Sequence, residues 1–192
     1  MTKLHSMALL PQISSKLFTN PTTAAITSTV AGSVLLALIA QINIHLPFTP
    51  VPITGQTFGV ALLSLLWGRK LATASMALYL VEGAAGLPVF AQGKAFLTMG
   101  PTVGYLLGML LATWFVGGMA DRGYTKTFKG ALASAYLGSL LVFTVGALGL
   151  SFFVPFNQLL ALGVLPFLPG DLLKNTLAAA TASALSRRGT SD

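Results

Sequence analysis

Four stretches of this 192-residue chain, about 24–42, 71–90, 102–120 and 130–150, run for the length of a membrane span with almost no charged side chain. An α-helix needs roughly 20 consecutive apolar residues to cross the hydrocarbon core of a bilayer. Inside hydrocarbon every backbone N–H and C=O must be paired within the protein, which leaves only helices or closed barrels. The runs are rich in Leu, Ala and Gly and lack the period-two alternation of barrel strands, so a helical bundle is the expectation. Composition agrees. The chain is 54% hydrophobic and 8% charged, against about 25% charged residues in a typical soluble domain. The reading is an all-α integral membrane protein with a single membrane-embedded domain over 1–192, an N-terminal lead-in over about 1–22 and a C-terminal tail from about 187. The lead-in, MTKLHSMALLPQ, has an apolar run too short for a signal peptide and no cleavage site after it.

Two shorter stretches complete the count: 53–67, which ends just before Arg69-Lys70, and 164–186, which opens with prolines. The segment 151–163 is apolar enough to read as a further span. Lys and Arg in short loops are retained on the cytoplasmic side. Six spans place Lys3, Lys16, Arg69, Lys70, Arg122, Lys126, Lys129, Arg187 and Arg188 together, leaving only Lys94 and Lys174 elsewhere. Seven spans would strand Arg187 and Arg188 on the far side. The expectation is therefore a six-transmembrane-helix bundle with N- and C-termini cytoplasmic and 151–163 as a loop or interfacial helix. On this reading the net charge of +7 is a topology signal, with the lipid bilayer and not nucleic acid as the partner.

Three connections then face outward, near 43–56, 83–101 and 151–170, and they hold most of the ten prolines. Irregular backbone at membrane depth is tolerated only when it is buried in protein or lines a cavity. Proline-rich outer loops capping a substrate pocket follow.

The chain has four acidic side chains, and one of them, Asp171 in LPFLPGDLLKNTL, stands three residues before Lys174. Ionisable groups in a span cost about 2.5–3.5 kcal/mol near the bilayer centre, so they usually face the bundle interior and pair. At i and i+3 the two share one helix face, suited to a ligand needing both an acceptor and a donor. The alternative is that Asp171, after Pro169-Gly170, caps the last helix while Lys174 is its structural partner or snorkels to the surface. Tyr79 and Glu82 repeat the spacing, and Glu82 is the sole glutamate; an interfacial glutamate in water is the competing reading. Gly83 and Gly86 follow, suited to close helix contact or close approach of a ligand. Asn43, Thr54, Gln56 and Tyr105 offer amide and hydroxyl groups for an uncharged polar head, or for satisfying loop backbone. His45 has no second histidine or acid at metal-ligand spacing, so no metal site is expected.

Other chemistries lack their parts. In AQGKAF, residues 91–96, Pro88 stands where a P-loop's first glycine belongs and Ala95 replaces the Ser or Thr. There is no HExxH, no GxSxG and no cysteine. An intramembrane enzyme with Glu82 and Asp171 as acid and base would lack a nucleophile or metal constellation. A passive channel would need a continuous polar lining, whereas the polar candidates gather near one face. The first helix carries small residues in two registers, Ala24/Ser28/Gly32 and Ala25/Thr29/Ser33/Ala37, suited to close packing within the protein or against a partner.

Four elements in order, QINIHLPFTPVPITGQTFGV, LYLVEGAAGLPVFAQG, GPTVGYLLG and PFLPGDLLKN, resemble the BioY family, the membrane-embedded substrate-binding components of energy-coupling-factor biotin transporters. The resemblance runs from about residue 30 to 178. It implies a six-helix bundle that binds biotin at the outer face of a cytoplasmic (inner) membrane, with no cofactor and no catalysis. It also implies a transmembrane coupling subunit and two cytoplasmic ATPases as partners, in keeping with the missing P-loop. The family's acidic and basic ligand pair maps onto Asp171 and Lys174 through the PGD-K element. Phe48, Leu87, Val89 and Phe90 are expected to wall the apolar part of the ligand, with Gly86 beside them. Lys174 is left between the ureido carbonyl and the carboxylate of biotin. The first helix departs from the family's Ala-x-x-x-Ala face, which leaves the coupling contact unplaced. The alternatives are a substrate-binding component for another vitamin and a solitary oligomeric biotin transporter.

Overall fold

The computed structural model describes residues 8–9, 20–95 and 100–188, with the side chains of the last helix described as far as Ser186. Lys3, Lys16 and most of the expected lead-in lie outside the described residues, as do the side chains of Arg187 and Arg188 and the end of the tail.

Helix α1, Pro21–Ala40, starts where Asn20 accepts a hydrogen bond from the Thr22 N–H at 2.9 Å and Pro21 takes the first helical position. A side-chain cap and a proline that gives up an N–H with no partner anyway fix this boundary locally. Strands β1, Asn43–Ile44, and β2, Ile53–Thr54, pair antiparallel, Asn43 against Thr54 and Ile44 against Ile53. The chain thus leaves the helix before residue 42 and returns as a hairpin carrying Pro47, Pro50 and Pro52.

Helix α2, Gln56–Ala84, is broken at Gly68, whose φ of 74° and ψ of 178° are open to glycine alone. Its arms, 56–67 and 69–84, occupy the stretches expected as separate spans. The second arm stops at Ala84, short of residue 90. Gly86 turns the chain with φ 100°, and Pro88 beyond it has no N–H to continue the helix. The apolar run carries on because Val89 and Phe90 pack inward as extended chain.

Helices α3, Val103–Asp121, and α4, Phe128–Leu150, are joined by a short 3-10 turn. After α4 the segment expected as a loop or interfacial helix holds a 3-10 turn and the short α5, Leu159–Gly163. Helix α6, Leu168–Arg188, follows a 3-10 turn at Leu165–Phe167 and begins later than residue 164 because Pro166 sits in that turn. By length and composition, Pro21–Ala40, Val103–Asp121, Phe128–Leu150 and the stretch Phe156–Ser186 can each cross a membrane.

Helix α3 packs between α2 and α4, and α6 lies against α4 and α2. The main core gathers Leu36, Leu63, Met76, Tyr79, Met109 and Val142. A second seam is built largely of alanines, among them Ala61, Ala131, Ala135, Ala178 and Ala182, small residues that let helices approach closely where lipid supplies no hydrophobic drive. Along α1, Ile26, Val30, Val34 and Leu38 are exposed while Ala24, Ser28 and Gly32 are buried. A Cβ on Gly32 would collide with Trp67 and Ser75 of α2. That small-residue register therefore serves packing inside the bundle.

Candidate functional site

At one end of the bundle the hairpin, the segment after α2 and the approach to α6 surround a cavity of about 320 Å³. Its residues come from parts of the chain far apart in sequence, and the start of α6 contributes the charged pair. Asp171 lies in the first turn of α6 and Lys174 one turn on, both lining the cavity. Asp171 is 5% exposed. One of its carboxylate oxygens accepts from Ser139 Oγ at 2.7 Å and the other from Asn175 Nδ2 at 2.9 Å; Asn175 Nδ2 also lies 2.8 Å from Ser139 Oγ. The carboxylate thus faces α4 and does not cap its own helix. Lys174 Nζ donates to the Thr54 carbonyl at 2.9 Å and to Thr57 Oγ1 at 2.8 Å, which draws the ammonium toward the hairpin and the start of α2. Each charge is held in place by its own neighbours, leaving acceptor and donor side by side.

Gln56 and Tyr105 add polar groups to the lining. Gln56 is buried and its Nε2 donates to the Tyr79 hydroxyl at 2.7 Å; that hydroxyl donates to the Val89 carbonyl at 3.2 Å. Tyr79 itself stands behind the wall, its ring edge-on to Phe90 at 5.4 Å between centroids. Phe90, which does line the cavity, sits over Gly83, where a Cβ would strike its ring. Tyr105 donates to the Gly163 carbonyl at 2.7 Å and approaches Phe167 at 6.4 Å.

Of the thirteen candidates from the sequence, Thr54, Gln56, Phe90, Tyr105, Asp171 and Lys174 line the cavity. The others do not. Asn43 turns its amide to the Gln41 carbonyl at 2.9 Å. Glu82 accepts a hydrogen bond from Ser33 of α1 and so faces the neighbouring helix. Phe48 and Leu87 are exposed, 58% and 51%, Gly86 makes the turn after α2, and Val89 contributes its carbonyl to Tyr79. His45 approaches Gln92 at 3.4 Å, and among the described residues no group of three His, Asp or Glu could hold a metal.

Sequence reasoning missed Thr57, Ser139, Asn175 and the cavity-lining Lys94. Two left a trace: Asn175 is four residues after Asp171, on the same helix face, and Lys94 is a cation away from the basic side. Ser139 left none, because only the packing of α4 on α6 brings it to Asp171. The apolar wall, including Leu106, Met109, Val142, Phe143 and Phe167, comes from ordinary span residues. Small-molecule sites are typically apolar cavities of about 300–1,000 Å³ with a few well-placed polar groups. This one suits a ligand with an apolar body and a polar head that both donates and accepts.

Comparison with known proteins places the chain among membrane transport components. The family model described as the BioY family matches residues 10–191. The biotin transporter BioY of Thermotoga maritima is 35% identical over 160 residues, 82% of this chain and 94% of that protein. The probable biotin transporter BioY of Pyrococcus horikoshii is 38% identical over 156 residues, 80% of this chain and 88% of that protein. In structure, the S-component for biotin from an ECF-type ABC transporter superposes with a TM-score of 0.80 at 27% identity, covering 88% of this chain and 93% of that one. With its apolar helices, the protein is a multi-pass membrane protein. A match over nearly the whole length, joined to this likeness of fold, makes the chain a member of the BioY family.

Proposed function

We propose that the protein takes up biotin, binding it in the cavity at the start of α6 and releasing it on the other side of the membrane without altering it. The observation that carries this reading is the Asp171–Lys174 pair, an acceptor and a donor steadied separately beside an apolar wall. Biotin's ureido ring carries two N–H donors and one carbonyl, its thiophane ring and alkyl chain are apolar, and its tail is a carboxylate. Asp171 takes the ureido N–H groups and Lys174 the ureido carbonyl, charge-assisted bonds stronger than neutral ones. Lys94, exposed on the segment that follows α2, meets the tail carboxylate. Gln56 and Tyr105 complete the polar lining.

The same reading has the arms of α2 as two of six spans, with both termini on the cytoplasmic side of the inner membrane. Its support is the placement of Arg69, Lys70, Arg122, Lys126 and Lys129. Transport is energised by a transmembrane coupling subunit with two ATPases, supported by the description of the structural relative as an S-component and by the lack of any nucleotide motif here.

Calorimetric titration of the purified protein with biotin tests the reading. Wild-type protein is expected to bind, and Asp171→Asn to weaken binding by more than about tenfold, since a charge-assisted bond contributes about 1.5–3 kcal/mol. Wild-type protein that binds thiamine or riboflavin in place of biotin would reassign the substrate. Unchanged affinity in the variant would remove Asp171 from the site.

A further inference from the structure

The break in α2 creates a second arrangement, away from the cavity, with a chemistry of its own. Immediately after Gly68, the Arg69 side chain lies along α3. Its Nε donates to the Trp114 carbonyl at 3.2 Å, and its guanidinium carbon sits 4.6 Å from the centre of the Trp114 ring. Gly118 makes room for it, because a Cβ there would collide with the guanidinium, and Gly117 does the same for the Arg69 backbone. One turn further on, Arg122 Nη1 donates to the Gly118 carbonyl at 3.0 Å. Trp114, Gly118 and Arg122 recur at four-residue steps and share one helix face. Two guanidinium groups therefore rest on carbonyls one helical turn, about 6 Å, apart. Among the described residues, main-chain carbonyls hold both groups and neither pairs with a carboxylate. Lys70, the next residue in the chain after Arg69, is exposed. Asp121 accepts from the Arg69 N–H at 3.1 Å and offsets only part of the local positive charge.

Trp114 is 47% exposed and Phe115 54% exposed, so the two arginines adjoin surface that the bundle turns toward lipid. Tryptophan at that level marks the boundary between hydrocarbon and headgroups. We propose that Arg69, Arg122 and Lys70 form a binding site for the phosphodiester of an acidic phospholipid, with its glycerol and upper acyl chain against Trp114 and Phe115. Planar guanidinium forks match phosphate oxygens two at a time, and basic pockets between membrane helices hold anionic headgroups. The exposed aromatic rings favour a lipid over a free phosphate ion, which would gain nothing from them. The site lies outside the transport cavity, and its test is independent of the identity of the transported substrate.

Native mass spectrometry of the full chain in micelles containing equal phosphatidylglycerol and phosphatidylcholine reads this out. Because clustered surface cations favour an anionic lipid over a zwitterionic one, wild-type protein should retain phosphatidylglycerol at least about tenfold in preference. Arg69→Gln with Arg122→Gln should abolish that preference. Lys126→Gln with Lys129→Gln, which removes equal charge from the turn before α4 and the start of α4, should keep it. Equal retention of both lipids by wild-type protein overturns the proposal, as does equal loss in the two double variants. Displacement of the lipid by millimolar glycerol 3-phosphate would assign the site to a soluble anion and overturn the lipid. The wild-type comparison needs no variant. If the glutamine pair does not fold, Arg69→Lys with Arg122→Lys, which keeps the charge and loses the fork, should retain less phosphatidylglycerol than wild-type protein, and unchanged retention would overturn the proposal.

Discussion

Tyr79 shows how much a single side chain behind a wall can decide. It is 1% exposed, and its hydroxyl accepts from Gln56 and donates to the Val89 carbonyl. It thereby ties a polar group of the cavity to the segment that delivers Phe90. Tyr79→Phe keeps the ring contact with Phe90 and removes both hydrogen bonds. A buried donor left without a partner costs about 1–3 kcal/mol, so we expect a lower unfolding temperature in detergent, together with weaker biotin binding as Gln56 loses its fixed orientation. Unchanged calorimetry and unchanged unfolding would show that Gln56 finds another partner. Residues of this kind are hard to read from sequence. Asp171 and Lys174 stand out because helical spacing alone puts them on one face. Tyr79 was legible as a candidate, but its place behind the wall depends on where the chain goes after Gly86.

The break in α2 decides more than any other single element. Arg69-Lys70 marks the division in the sequence, since two charges interrupt an apolar run, but the expectation was two spans with a connection between them. In the structure one glycine makes the connection. The Arg69 N–H that the break exposes is satisfied by Asp121 from α3, which fastens the turn to its neighbour. A residue with a Cβ at position 68 would adopt a conformation that costs of order 1–3 kcal/mol and would also meet the Asp121 carboxylate. Gly68→Ala should therefore lower the unfolding temperature and the yield of monodisperse protein, read by size-exclusion chromatography with thermal unfolding. A fully stable variant would show that α2 can reverse direction another way. The overshoot at the end of α2 has a similar cause: hydropathy cannot separate apolar residues facing lipid from apolar residues folded into a cavity wall.

At the scale of the whole molecule, orientation is open to direct measurement, because the chain has no cysteine. A cysteine introduced by Asn157→Cys should react with a membrane-impermeant maleimide in intact cells. One introduced by Lys126→Cys should react only after permeabilisation; the opposite pattern would invert the proposed topology. The sequence by itself determined what depends on local order and on totals. Apolar runs dictate membrane helices, because no other open-chain structure satisfies its backbone in hydrocarbon. Basic loops carry the proposed orientation, and helical spacing joins Asp171 to Lys174. Only the tertiary structure decided which polar groups meet. It set Ser139 against Asp171 and Thr57 against Lys174, turned Glu82 away toward Ser33, and laid Arg69 along α3 beside Arg122. The physical reason is that a side chain's partners across a helix interface depend on the rotation and depth of both helices. Those are set by close packing over the small-residue seams of the entire bundle.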